Sequence, residues 1–567
     1  METVLLVMLL LALRPQAQAG SLHTPEDEIE KKNSPEFKNP DIPEGYDSVE
    51  STDSREGVDT QNLWEKPQSV MVQTEYGPVM GYIKTVASKG IKTFKGIPFA
   101  APPKRFRKPK PHKKWTDIFN AVKYGNPCLQ ISLKTVTGDE DCLYLNVWSP
   151  QSTQKYLPVM VWIYGGAFII GASSNFIYDG SQIAARGDVV VVSFNYRLGP
   201  LGFFSTGDAN APGNYGLWDQ HEAIGWVRRN IKAFGGDPNY ITLFGQSAGA
   251  ASVNFQILSP YNKGLIKRAI SESGVANSPF ALVNNPLYWA QELAKKMHCP
   301  NNDTERMIKC LRKVDGKSLT MAIPFKNPII PTIRAVVWAP VIDGDFLPND
   351  VKNLSSNAAD VDYIAGVNNW DGFMFAMIDV PFLILLSRQD FYNLIKSVFP
   401  DKDKKVLDSV YEIYYQANGN LTTRTEIKQA IIDFETDLIF LISTQVTLQL
   451  HQENARNAET YSYVFSYAKH GTGASHADEL KYVFGIPFYK HSSTHRKISE
   501  YMIGYWTNFA HTGNPNEGHC AVPDLWHPYN ITDAYYLEIN NPLNTNSVKQ
   551  KLREDFVTFW VDTFPNL

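Results

Sequence analysis

Phe244-Gly245-Gln246-Ser247-Ala248-Gly249-Ala250, FGQSAGA, follows the apolar run NYITL (239–243) and leads into AGAASVNFQIL (248–258). A serine framed by two glycines, with a strand before it and a helix after it, fits a G-x-S-x-G nucleophile elbow. There the glycines let two elements approach closely around a strained turn that exposes the Ser hydroxyl. The same five residues also arise by chance as a tight turn. The flanking elements therefore decide between the two readings.

Those flanks recur along the chain. LPVMVWIY (157–164), DVVVVSFNY (188–196), NYITLF (239–244) and DYIAGV (362–367) are β-branched or aromatic runs, with amphipathic stretches such as WDQHEAIGWVRRNIKAF (218–234) between them. The alternation predicts an α/β-hydrolase fold, a mostly parallel central sheet with helices on both faces, over residues 68–567. Ser247 becomes the candidate nucleophile. In this architecture its acid and then its histidine follow later in the chain, on loops after strands.

Asp371, in AGVNNWDG, stands just past the 362–367 run. Asp362 precedes that strand and Asp379 lies well beyond it. Glu435 and Asp437 fall in AIIDFETDLIFLI, where a charged stripe on a helix is expected to face solvent. Twelve histidines compete for the base. His451 lies in a helical run, and His511, His519 and His527 lie in polar segments without a preceding strand. His476, in the glycine-containing loop GTGASHADEL after the strand-like ETYSYVFSYA (459–468), is the best placed, but spacing alone leaves it open against the others. The turn after VWIY, Gly165-Gly166-Ala167, can present backbone N–H groups to an oxyanion, and the N–H of Ala248 would complete the set.

EDCLYLNVW (140–148), FKGIPFAAPP (94–103), NYRLGPLGF (195–203), FGGDPNYITLFGQSAGAAS, NNWDGFMF and SHADELKYVFG together resemble the type-B carboxylesterase family, which contains cholinesterases, carboxylesterases and neuroligins. The resemblance runs from about Val70 to the end. FSTGDANAPGNYGL and LSPYNKGLIKRAIS are most similar to its branch of lipases activated by bile salts. It implies an esterase with Ser247, Asp371 and His476 as triad and the N–H groups of Gly166, Ala167 and Ala248 as oxyanion hole. It also implies acyl transfer that needs no metal or organic cofactor, an ester substrate of lipid type, and a bile-salt activator. Cholinesterases would place a Trp in the loop between the first two cysteines. LQISLKTVTGDED (129–141) has no aromatic residue, which argues against choline esters.

Two positions depart from the family. Gln246 replaces the glutamate that most members carry before the nucleophile, which removes a charge near the imidazole. Pro127 stands where the bile-salt-activated branch has a basic residue. Two other functions share the fold: a general carboxylesterase for small or hormone-like esters, distinguished only by pocket shape, and a non-catalytic adhesion protein of the neuroligin kind. The filled triad positions argue against the second. VPFLILL (380–386), beyond the acid loop, reads as a buried helix start, or, with Leu383 exposed, as a lipid-facing lip.

The chain has 567 residues, 43% of them hydrophobic, and a net charge of −4, so overall it offers no basic field for nucleic acid. VLLVMLLLAL (4–13) followed by Ala17-Gln18-Ala19 predicts a signal peptide over 1–19 and secretion, with a membrane anchor as the alternative; no later run is long enough to span a bilayer. Residues 20–67 form an acidic, Pro- and Ser-containing extension without apolar period, expected to be disordered. Asn302, Asn353, Asn420 and Asn530 head glycosylation sequons, consistent with that compartment. Spacing suggests pairing Cys128 with Cys142 and Cys299 with Cys310, each bond stabilising by roughly 3 kcal/mol, and the family resemblance implies the same pairs. Cys520 is left as a buried thiol or an intermolecular handle. The sequence gives no oligomeric state.

Overall fold

Apolar residues dominate the strands that lie deepest. Every residue of β5 (Leu157–Ile163), β6 (Val190–Phe194) and β9 (Asp362–Asn368) is buried, as a strand covered on both faces requires. The computed structural model describes residues 68–567, apart from 133–134, 323–335, 381–385, 469–472, 491 and 541–546. The signal-peptide and acidic-extension readings and Leu383 lie outside the described residues.

The main sheet runs in the order β1-β2-β3-β4-β6-β5-β7-β8-β9-β10-β11-β12. The remaining strands of that path are β1 (Ser69–Gln73), β2 (Pro78–Val86), β3 (Lys89–Pro98), β4 (Tyr144–Pro150), β7 (Gly236–Gln246), β8 (Arg268–Glu272), β10 (Thr460–Phe465), β11 (Tyr535–Ile539) and β12 (Val548–Gln550). From β6 to β11 every neighbouring pair is parallel. The expectation of a mostly parallel sheet holds for this central block, whereas β1 to β4, the β4–β6 pair and the β11–β12 pair are antiparallel. Short connections at the sheet's ends make hairpins available there, while the centre needs helical crossovers.

The helices used below are α1 (Tyr215–Asn230), α2 (Ala248–Leu258), α3 (Thr304–Leu311), α4 (Phe373–Asp379), α5 (Arg424–Thr436) and α6 (Ser493–Thr512). Arg197, just past β6, is clamped to Asp219 of α1 by Nε to Oδ2 at 2.7 Å and Nη2 to Oδ1 at 2.6 Å, with both side chains almost fully buried. Removing one partner would strand a buried charge, which typically costs about 3–5 kcal/mol. This pair pins the helix that packs against β7.

The expectation for Glu435 and Asp437 is corrected here: neither faces solvent. Both are fully buried, Asp437 accepting from Tyr414 Oη at 2.9 Å and from Arg553 Nη2 at 2.6 Å. The segment packs under other helices; Asp437 is answered by these partners, whereas neither carboxyl oxygen of Glu435 has a hydrogen-bond partner among the described residues, and burial, then Asp379, hold its carboxyl well above the ordinary range. Both disulfides form as paired above, with Cα separations of 4.9 Å for Cys128–Cys142 and 5.7 Å for Cys299–Cys310. Cys520 is free and half-buried beside Arg186 O and Thr507, and burial pushes its thiol up, which disfavours the reactive thiolate. Asn302, Asn353 and Asn420 are exposed, whereas Asn530 is half-buried and bonded at both ends to Asp533. Among the described residues no helix is long and apolar enough to cross a membrane.

Candidate active site

Ser247 sits between β7 and α2 with φ 58° and ψ −126°, a conformation that L-residues rarely adopt. Its surroundings hold it there: the Ser247 N–H donates to Glu272 O at 2.8 Å, and its carbonyl accepts from Ala251 N at 2.9 Å. The motif glycines are required by close approach. A Cβ on Gly245 would lie 2.6 Å from Ile163 O, and one on Gly249 would lie 2.0 Å from the same oxygen. The elbow therefore presses directly on the end of β5.

At that end the chain turns through Gly165-Gly166-Ala167. A Cβ on Gly165 would lie 2.9 Å from Ser247 Cβ, so the turn abuts the serine. Gly166 has φ 120° and Ala167 φ 52°, and a Cβ on Gly166 would strike Ile170 O at 2.1 Å. The N–H groups of Gly166, Ala167 and Ala248 have no hydrogen-bond partner among the described residues. Three free donors beside a strained serine are what an oxyanion requires. Gln130, in the first disulfide loop, braces this turn from behind through Nε2 to Gly171 O and Gly171 N to Oε1, both 2.8 Å.

The acid and histidine loops leave β9 and β10 side by side. They are stitched together by Trp370 N to Ala474 O at 2.9 Å, Ala474 N to Asn369 Oδ1 at 2.8 Å and Asn368 Nδ2 to Ser475 O at 2.7 Å. Asp371 is fully buried; its Oδ2 accepts from Asn368 N at 2.7 Å and its Oδ1 lies 2.9 Å from His476 Nδ1. Phe440 stacks on the imidazole at 4.6 Å and Phe375 meets it edge-on at 5.6 Å, fixing the ring plane. His476 is thus the histidine brought to the elbow. His451 is instead locked in the core between Thr460 Oγ1 and Val361 O, His511 bonds Gly187 O, and His519 and His527 are exposed. Asp362 pairs with Arg268 at the far end of its strand.

Gln246 closes the arrangement in a way spacing did not reveal: its Nε2 lies 3.1 Å from His476 Nε2. The amide donates, so Nε2 accepts and Nδ1 carries the proton given to Asp371, which is the tautomer a general base needs. Gln246→Glu would present an acceptor and favour the imidazolium. The acid limb of the kcat/KM profile for a soluble ester should then move up by about one pH unit. An unmoved or lowered limb would show that the Gln246 contact does not govern the base.

Sequence reading missed two buried acids behind the triad. Glu272, the last residue of β8, accepts from Trp506 Nε1 of α6 at 2.7 Å, and burial raises its carboxyl to about 8. Glu479, three residues after His476, bonds Asn368 Nδ2, and burial, then Glu272 and Asp371, hold its carboxyl well above the ordinary range. Glu272 is therefore mainly protonated at neutral pH, and Glu479 is shifted in the same direction.

Residues 68–560 match the model of the carboxylesterase family. The chain is 49% identical to bile salt-activated lipase of Bos taurus over 525 residues, covering 88% of each protein. It is 48% identical to bile salt-activated lipase of Homo sapiens over 87% of this chain and 69% of that protein, and 36% identical to carboxylesterase 5A of Homo sapiens over 87% and 89%. With its mixed α/β sheet and this extent of match, the chain belongs to the carboxylesterase family.

Proposed function

We propose that the protein is a secreted serine hydrolase that cleaves carboxylic esters of lipids by two-step acyl transfer. His476, oriented by Asp371, takes the Ser247 proton, and the alkoxide attacks the ester carbonyl. The N–H groups of Gly166, Ala167 and Ala248 hold the oxyanion. His476 then returns the proton to the departing alcohol, and water hydrolyses the acyl-enzyme by the same route. The observation that carries the reading is His476 itself: Nδ1 on a buried carboxylate and Nε2 turned to the elbow, beside three unpartnered backbone donors.

Similarity to bile salt-activated lipases supports acylglycerols or cholesteryl esters as substrates and bile salt as activator, while similarity to carboxylesterase 5A keeps smaller esters in view. Pro127, half-buried and bonding Asp139 N through its carbonyl, offers no charge to a bile-salt anion. Hydrolysis of a short p-nitrophenyl ester and of a long-chain triacylglycerol emulsion, each with and without a trihydroxy bile salt, tests this beside the Ser247→Ala variant. Triacylglycerol cleavage that depends on bile salt is expected. Cleavage of the short ester alone, indifferent to bile salt, would make the protein a general carboxylesterase, and no Ser247-dependent cleavage of either would favour adhesion.

A further inference from the structure

The segment Lys104-Arg105-Phe106-Arg107-Lys108-Pro109-Lys110-Pro111-His112-Lys113-Lys114 carries seven Lys or Arg in eleven positions, within a chain whose net charge is −4. Most such runs are solvated and flat. Residues 106–110 of this one line one wall of a cavity of about 590 Å³, whose other walls come from residues 209–215 and from α3 with the turn after it. That volume falls in the range of small-molecule pockets, on the order of 300–1,000 Å³.

Some of the charge around the cavity is already satisfied. Lys108 sits 3.5 Å over the Trp218 ring and 2.6 Å from Asp345, and Lys309 pairs with Glu305 one turn earlier at 2.5 Å. Arg107, Lys110 and Arg312 are different. Among the described residues no carboxylate pairs with them, and Arg312 donates only to the Arg105 and Phe106 carbonyls, both at 3.4 Å. Burial first, and then the neighbouring Arg107, hold the half-buried Arg312 guanidinium below its usual range. Position near the C-terminus of α3 suits Arg312 through the helix dipole, but Arg107 and Lys110 come from another segment and gain nothing from it.

The walls are preformed. Thr304 Oγ1 donates to Asp208 Oδ2 at 2.7 Å and accepts from Asn210 Nδ2 at 2.9 Å, which ties the 209–215 wall to α3. Arg105 reaches across to the carbonyls of Arg312 and Val314 while held by Glu140, and the Cys299–Cys310 bond anchors the end of α3. Tyr215, 1% exposed, backs this wall from within the core. Phe106, Pro109, Pro212 and Ile308 supply apolar surface between the cations.

Like charges gathered around one cavity repel, and an oxyanion placed among them would relieve that repulsion. We propose that this cavity is a binding site for a small organic anion, an oxyanion head of carboxylate, sulfonate or phosphate type on an apolar body. The anion would be gripped by Arg107, Lys110 and Arg312. The site shares no residue with the triad or the oxyanion turn.

Isothermal titration with 2-naphthalenesulfonate and with its neutral analogue 2-naphthalenesulfonamide tests the proposal, using the full-length Ser247→Ala protein so that catalysis plays no part. The sulfonate is expected to bind at least tenfold more tightly than the sulfonamide, and inorganic phosphate should compete with it. Arg312→Gln, and separately the paired change Arg107→Gln with Lys110→Gln, should each weaken binding about tenfold or more, the scale of one lost charge-assisted hydrogen bond. Lys396→Gln, on a distant exposed position, should not. Should Arg312→Gln fail to fold, the paired change at the two exposed residues decides. Equal affinity for sulfonate and sulfonamide, or variants that bind like Lys396→Gln, would overturn the site; neither result bears on the proposed ester hydrolysis.

Discussion

Ser247→Ala should retain only on the order of one millionth of the wild-type kcat on a soluble p-nitrophenyl ester, with thermal stability unchanged. The loss is that of the attacking atom; oxyanion donors and binding alone leave only a residual rate. The backbone makes a second arm possible. Because φ 58° and ψ −126° burden any residue with a Cβ, Ser247→Gly should be equally inactive yet more stable, by about 1 kcal/mol after glycine's own entropic cost. Activity above a thousandth of wild type in Ser247→Ala would remove Ser247 as nucleophile. A destabilised Ser247→Gly would mean the turn is not strained as its angles imply.

Asp371→Asn should lower kcat about 10⁴-fold on the same ester, with KM little changed. Asn368 N–H already donates to Oδ2, so an amide at this position keeps its oxygen on that side and turns its NH2 toward His476. The imidazole must then accept at Nδ1 and carry its proton on Nε2, where it can no longer take one from serine. That proton would also meet the Gln246 amide donor, so the Gln246→Glu change, which offers an acceptor, should not add its full effect to that of Asp371→Asn. A loss smaller than tenfold would place the orienting role elsewhere.

The elbow was legible because all its requirements are local: two glycines, a serine, an apolar run before and a helix after. Asp371 and His476 were legible in part, since a loop after a strand is visible in sequence but the choice among twelve histidines is not. His476 owes its place to the stitching of two loops through Trp370, Asn369 and Asn368, contacts that span more than a hundred residues. The Gln246 contact spans 230. Glu435 and Asp437 were misread for a related reason: a charged position on a helix signals solvent only if nothing packs over it, and Asp437 has Arg553, 116 residues away, to answer it. Net charge hid the basic cavity in the same manner, averaging the 104–114 segment with acidic stretches elsewhere. Long-range pairing and charge clustering are properties of the folded surface, and composition sums over both.

Glu272 and Glu479, the two buried glutamic acids shifted upward behind the candidate triad, give denaturation of this protein an acidic character. In the unfolded chain Glu272 ionises near the ordinary value of 4.5; in the folded chain it does so only at about 8. Across that interval the native state holds a proton that the unfolded state has released, and Glu479 is shifted in the same direction. The stability these groups contribute is complete below about pH 4.5 and falls as pH rises toward 8. Unfolding at neutral pH therefore discharges protons from the core into solvent, and the buffer becomes a participant in the equilibrium between folded enzyme and open chain.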